Sequence, residues 1–124
     1  MDIKEKHINV QRIVPNLTVT DLEQAVEEYQ EIFGLSVLIN HGWIVTVGDE
    51  NGAHQLSLMT KDASVQMNPA ISIFVDDVTE VLSQVRAAGL EIVHPLTDEP
   101  WGVTRFFYRD SHGHIINVGM HTPA

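Results

Sequence analysis

The chain of 124 residues contains no cysteine. That excludes disulfides, thiolate metal sites and cysteine nucleophiles, and makes a reducing cytoplasm the expected location. Basic residues are scarce: 7 Lys plus Arg stand against 17 Asp plus Glu, for a formal net charge of −10. Such a balance opposes association with phosphate backbones and anionic lipid, so neither nucleic acid nor a membrane is an expected partner, and the overall field favours a cationic ligand. No apolar run approaches the roughly 18 residues of a membrane helix. Residues 1–10 lack the apolar stretch of an export signal, so export by that route is not expected. Aromatics make up 6% of the chain with only two tryptophans, so Trp43 and Trp101 each need a reason.

What is present is a repeat. Pro15-Asn16-Leu17-Thr18-Val19-Thr20-Asp21-Leu22 returns as Ile71-Ser72-Ile73-Phe74-Val75-Asp76-Asp77-Val78, an offset of 77 − 21 = 56 residues. In each copy a strand-like alternation runs into an amphipathic helix. For the first helix, Thr20 and Glu23 fit a capping box, Leu22, Ala25, Val26, Tyr29, Ile32 and Phe33 fall on one stripe, and Gly34 supplies the C-terminal cap. For the second, Asp77 and Glu80 open the helix, Val78, Val81, Leu82 and Val85 form the stripe, and Gly89 stops it.

Strands are predicted at 12–19, 35–40, 43–47 and 54–59, and again from 70, at 90–93, 103–109 and 115–120, with a loop over 94–102. Each copy thus reads β-α-β-β-β. The polar, aperiodic segment 60–69 ends in Asn68-Pro69 and is the expected linker, giving one domain with module one at about 10–60 and module two at about 70–122. The predicted class is α+β, with two tandem βαβββ modules forming a curved mixed sheet around a cleft and the helices on its outer face.

The paired modules, with Asp21-Leu22 and Asp77-Val78 opening the helices and Asp110-Ser111-His112-Gly113-His114-Ile115-Ile116-Asn117 near the end, resemble the vicinal oxygen chelate superfamily. That group includes glyoxalase I, extradiol dioxygenases, fosfomycin-resistance enzymes and bleomycin-resistance proteins. Within it, Asp98-Glu99-Pro100-Trp101-Gly102 followed by Arg105-Phe106 and Arg109-Asp110 looks most like the bleomycin-binding branch. The resemblance extends over about residues 10–122 and implies a ligand cleft and a homodimer.

In metal-dependent members of that superfamily, one ligand stands at the start of each module's first strand and one on each module's last strand. The family spacing carries the first-strand positions onto Val14 and Ala70. It carries the last-strand position of module two onto Asn117, and that of module one onto Gln55 or Leu56, of which Gln55 suits the strand alternation. Val and Ala cannot ligate, and amides are weak donors. Among the seven histidines, His54, His112 and His114 sit at turns, while His7, His41, His94 and His121 share no spacing, so all are expected to be solvated or capping. No metal and no other cofactor is therefore expected.

If Leu17 and Val19 pack under the first helix, Asn16 and Thr18 face the cleft, and by the same alternation so do Ser72, Phe74, Asn117, Gln55 and Ser57. Such a lining is polar and uncharged and offers no evident general base, so no catalytic residue is assigned. Trp101, between Pro100 and Gly102, and Trp43 offer flat walls for an aromatic or cationic ligand. Arg105 or Arg109 either holds an anionic ligand group or pairs with acids such as Asp98, Glu99 or Asp110. Tyr108 and Phe106 share one strand face, with Phe107 on the other; Tyr108 is retained as a ligand candidate. The expected function is metal-independent binding of a drug-like or metabolite ligand, as in antibiotic sequestration; the alternative is a metal-dependent lyase or dioxygenase of the same superfamily.

Overall fold

Among the described residues the alternation patterns assemble into a single open mixed sheet of eight strands flanked by two helices. A computed structural model describes residues 8–122; His7 lies outside them. In chain order the elements are β1 (Val10–Thr18), α1 (Leu22–Phe33), β2 (Ser36–Asn40), β3 (Ile44–Gly48), β4 (Gln55–Met59), β5 (Ile71–Val75), α2 (Val78–Ala87), β6 (Glu91–Glu99), β7 (Val103–Arg109) and β8 (Ile115–His121). Among the described residues no helix is long and apolar enough to cross a membrane.

The sheet order is β2-β3-β4-β1-β5-β8-β7-β6. Read from its centre, it is the same arrangement twice, related by a pseudo-twofold axis between β1 and β5. Those two strands pair antiparallel, Val14 opposite Ser72, and among the described residues they form the only strand contact between the modules. Within each module the first strand then pairs parallel with the last, β1 with β4 and β5 with β8.

Both helices begin on an aspartate. The Asp77 carboxylate accepts from the Glu80 backbone N–H, and the Asp21 carboxylate accepts from that of Gln24, so the first cap is Asp21 rather than Thr20. An aspartate cap satisfies a free amide and also meets the positive end of the helix dipole, which a threonine hydroxyl does not. Gly34 ends α1 with φ 69°, a left-handed conformation that costs glycine little.

Strand β6 departs from expectation. It continues to Glu99 and absorbs most of the predicted loop, with register shifts between Ile92 and His94 and between His94 and Thr97. It lies at the sheet edge, where a bulged strand tolerates Pro95 because no outer neighbour needs its missing N–H. The segment 60–69 contains no helix or strand.

Each helix covers the convex face of its own module. Helix α2 packs Val78, Leu82 and Val85 against Phe106, Ile116 and Val118, and α1 lays Leu22, Ala25, Val26 and Tyr29 over Val45, Val47 and Leu58. The opposite, concave face of the sheet is the cleft.

Candidate functional site

Strand alternation sets the cleft floor. On β1 the residues Arg12, Val14 and Asn16 project to the concave side, on β5 Ser72 and Phe74, on β4 Ser57 and Met59, and on β8 Asn117 and His121. Together with Ile39, His41 and Trp43 from module one and Trp101, Val103 and Arg105 from module two, they line a cavity of about 60 Å³.

At the pseudo-twofold axis the register places Asn16 beside Ser57 and Ser72 beside Asn117. Asn16 and Ser72 are equivalent by the 56-residue offset, so Ser57 is the counterpart of Asn117. This corrects the sequence assignment of that position to Gln55 or Leu56. A one-residue slip turns a strand residue to the other face, and Leu56 accordingly packs under α1.

The Ser72 hydroxyl accepts from the Asn16 amide at 2.9 Å and from the Asn117 amide at 3.0 Å, while Ser57 and Thr46 share a hydrogen bond of 2.7 Å. Asn16, Ser72 and Asn117 are all buried, yet the Oδ1 atoms of both asparagines have no partner. Swapping O and N in either amide would only exchange which atom is left over, because each touches one hydroxyl. An unpaired buried amide end costs of order 1–3 kcal/mol. The floor therefore holds two hydrogen-bonding groups without protein partners.

Above the floor stand two arginines of opposite disposition. Arg105 is buried between two carboxylates: Nη1 and Nη2 donate to both oxygens of Asp62 at 2.8 Å, and Nε donates to Glu99 at 2.6 Å. Ser64 and His94 complete the shell of Glu99, and the guanidinium stacks on Trp101 at 4.9 Å and Phe107 at 4.7 Å. This network is fully engaged; it fixes the wall carrying Trp101 and ties Asp62 of the linker to β7. The spacing of Arg105 from Glu99 was within reach of sequence reading, whereas Asp62, 43 residues away, was not.

Arg12 is different. Its guanidinium lies 4.0 Å over the Phe74 ring, donates to Gln55 Oε1 and meets His121 Nε2 at 2.8 Å; none of these partners is a carboxylate. Burial lowers the Arg12 pKa from its ordinary value, and burial first, then the charges of Arg12 and His41, lowers that of His121. His121 in turn stacks on Phe74 with centroids 4.9 Å apart and planes at 7°. The backbone of Gly119 makes this possible, since a Cβ there would stand 3.1 Å from the Phe74 ring.

The predicted site residues divide accordingly. Asn16, Ser57, Ser72, Phe74, Trp43, Trp101, Arg105 and Asn117 line the cavity, with the two indoles edge to face at 5.2 Å. Gln55 touches the site through Arg12. Thr18 is exposed and accepts from the linker residue Asn68, outside the cavity. Gly102 is likewise exposed; its φ of 85° makes the turn behind Trp101, and its carbonyl accepts from Thr122. Tyr108 lies on the α2 side, packed against the core, because it alternates with Arg105 and Phe107 on the opposite face of β7. Arg109 is away from the cavity and pairs with Glu91. Arg12, His41 and His121 were not anticipated; the alternation of Arg12 with Val14 and Asn16 was the available signal.

The metal positions carried over from the superfamily become Val14, Ser57, Ala70 and Asn117. Two have no donor atom, and the others are a hydroxyl and a neutral amide already bonded to neighbouring hydroxyls. This donor set does not fit a divalent ion, which requires imidazole or anionic oxygen here. Among the described residues no group of three His, Asp or Glu side chains is placed to hold a metal elsewhere.

The family model that matches, over residues 6–118, is described as the Glyoxalase/Bleomycin resistance protein/Dioxygenase superfamily. Solved structures of like fold include an NAD-dependent benzaldehyde dehydrogenase from Legionella pneumophila, at TM-score 0.72 and 16% identity over 90% of this chain and 100% of that one. A glyoxalase/bleomycin resistance protein/dioxygenase superfamily member from Vibrio splendidus 12B01 aligns at TM-score 0.66 and 15% identity over 89% and 97%. Streptomyces coelicolor methylmalonyl-CoA epimerase, in complex with 2-nitronate-propionyl-CoA, aligns at TM-score 0.67 and 19% identity over 93% and 100%. At such identities the likeness is one of fold. No curated protein matches the chain.

Proposed function

The chain belongs to the glyoxalase/bleomycin resistance protein/dioxygenase superfamily, and on that premise we propose that its cleft binds a small molecule without a metal ion and sequesters it. The observation that carries this reading is the floor at the pseudo-twofold axis. Where the superfamily's metal ligands would stand, a neutral cluster of Asn16, Ser57, Ser72 and Asn117 leaves two buried amide oxygens unpartnered. Groups of that kind hydrogen-bond a ligand but do not activate water or polarise a carbonyl as a metal does. Trp43 and Trp101 supply the apolar walls. A drug-like or metabolite compound with a flat body suits them.

The reading includes a homodimer, supported by the exposed apolar side chains Ile13, Leu17, Ile32 and Phe33 on module one. Sedimentation velocity reads this part separately.

Thermal shift and tryptophan fluorescence against a panel of flat aromatic compounds, each with and without added Mg²⁺, Mn²⁺, Ni²⁺ or Zn²⁺, test the binding. Ligands are expected to raise Tm equally in metal-free and metal-supplemented protein, with the ligand recovered unchanged. A stoichiometric divalent metal in tag-free protein, together with turnover that chelation abolishes, would overturn the proposal in favour of a metal-dependent lyase or dioxygenase.

A further inference from the structure

Of the two arginines that line the cavity, only one is matched by acid. Arg105 serves two carboxylates, so that group carries no spare positive charge. Arg12 has no carboxylate within ion-pair distance among the described residues, in a chain whose acids outnumber its bases by 17 − 7 = 10. A half-buried guanidinium usually secures an anionic partner, because desolvation without one is unfavourable. This one instead has an amide oxygen, an imidazole nitrogen and an aromatic face.

The neighbours hold it ready. Gln55 Oε1 accepts from Nη1 while its own amide is anchored on the Gly52 carbonyl, His121 Nε2 receives Nη2, and the Phe74 ring carries the plane from below. Because a guanidinium only donates, Nε2 of His121 must accept, which puts the imidazole proton on Nδ1. The fork is thus fixed in orientation while remaining without counter-charge, an arrangement suited to the bidentate capture of a carboxylate.

Resting on the cleft-binding reading above, we propose that the ligand is a small organic anion, a carboxylate on a flat apolar body. Its carboxylate pairs with Arg12 beside His121, its body lies between Phe74 and the Trp43–Trp101 walls, and its far end reaches the free amide groups of Asn16 and Asn117. The sign is opposite to that favoured by the overall charge. The two do not conflict: at the cavity Asp62 and Glu99 are both engaged by Arg105, and Arg12 is the lining charge without an ion-pair partner among the described residues.

Calorimetric titration and tryptophan quenching with 4-hydroxybenzoate, 4-hydroxybenzamide, 4-hydroxybenzylamine and inorganic phosphate, on the full chain and on Arg12→Gln and Arg12→Lys, test the assignment. The acid is expected to bind about tenfold or more tightly than its neutral and cationic analogues, the equivalent of one charge-assisted hydrogen bond. Arg12→Gln should remove that preference, weakening the acid by about tenfold more than it weakens the amide, and Arg12→Lys should retain part of it. Unchanged circular dichroism and Tm without ligand confirm that the variants fold.

Equal binding of acid, amide and amine, or an acid affinity untouched by Arg12→Gln, overturns the anion assignment while leaving cleft binding intact. Phosphate binding as tightly as the aryl acid overturns the flat-bodied class. If none of the four compounds binds, the anion assignment falls; the metal-supplemented panel described above then decides separately whether the cleft binds anything.

Discussion

Helix α2 sinks Val78, Leu82 and Val85 fully into module two in 10 residues, whereas α1, with 12 residues, buries none completely in module one. The register explains the difference. Phe106 and Tyr108 on β7 hold the places that Val45 and Val47 hold on β3, each pair facing its own helix. Two valines fill less of the space between helix and sheet than two aromatics. Module one is left with an open groove of about 430 Å³ between α1 and β2, and the last turn of α1 carries Ile32 and Phe33 beyond the sheet at 66% and 65% exposure. One template has yielded a densely packed half and a loosely packed half. The dense half fixes Trp101 and Arg105; the loose half supplies His41, Trp43 and Ile39, the wall best able to adjust to a ligand.

The largest effect that would break this contrast is a packing one. Phe106→Ala should cost about 3–5 kcal/mol, whereas Phe33→Ala, on the exposed end of α1, should stay within about 0.5 kcal/mol, both read by urea denaturation. Comparable losses would mean that module one has a core its helix does not reveal, or that Phe33 is covered by a second copy. Sedimentation of the Phe33 variant separates those outcomes.

A middling effect isolates the helix ends from the packing. Asp21→Ala and Asp77→Ala remove the same hydrogen bond from the same kind of cap, so each should cost about 1 kcal/mol and the two should agree. A clear inequality would shift the origin of the contrast from the aromatic layer to the helix starts.

Much of this was legible beforehand. Both helices, the linker and the alternation that sends Asn16, Ser57, Ser72 and Asn117 to one face follow from period and spacing. Four things were not. The cap at Asp21 competes with a capping box one residue earlier, and only geometry decides between them. Strand β6 has a proline in its middle, and a sequence does not say that the strand lies on an edge. The partners of Arg105 and Arg12 come from strands and linker segments tens of residues away, brought together by a sheet order that no local pattern encodes. For Ser57 the difficulty was register, since Gln55 lies two residues away on the same strand face and alternation does not choose between them.

The smallest effect lies on the border between the halves, where His121 of module two meets Arg12 of module one. Its folded pKa is lowered by burial and by Arg12. The unfolded chain therefore binds the proton more readily. This contribution to stability is present above the ordinary histidine range, near 6.5, and is lost as pH falls below it. His121→Gln should flatten that portion of the Tm-against-pH curve without altering the plateau above pH of about 7.5. A slope that persists in the variant would assign it to another group.

Among the described residues the pairing of β1 with β5 is the only strand contact joining the two modules, and the cavity floor lies across it, with Asn16 contributed from one side and Ser72 and Asn117 from the other. A molecule seated there touches both halves at once and behaves as a clasp. Whatever it gains by binding is withdrawn from the free energy of parting the modules, so occupancy should make the chain melt as a single cooperative unit. Ligand affinity and the cohesion of the duplicated fold are in that sense one quantity measured from two directions.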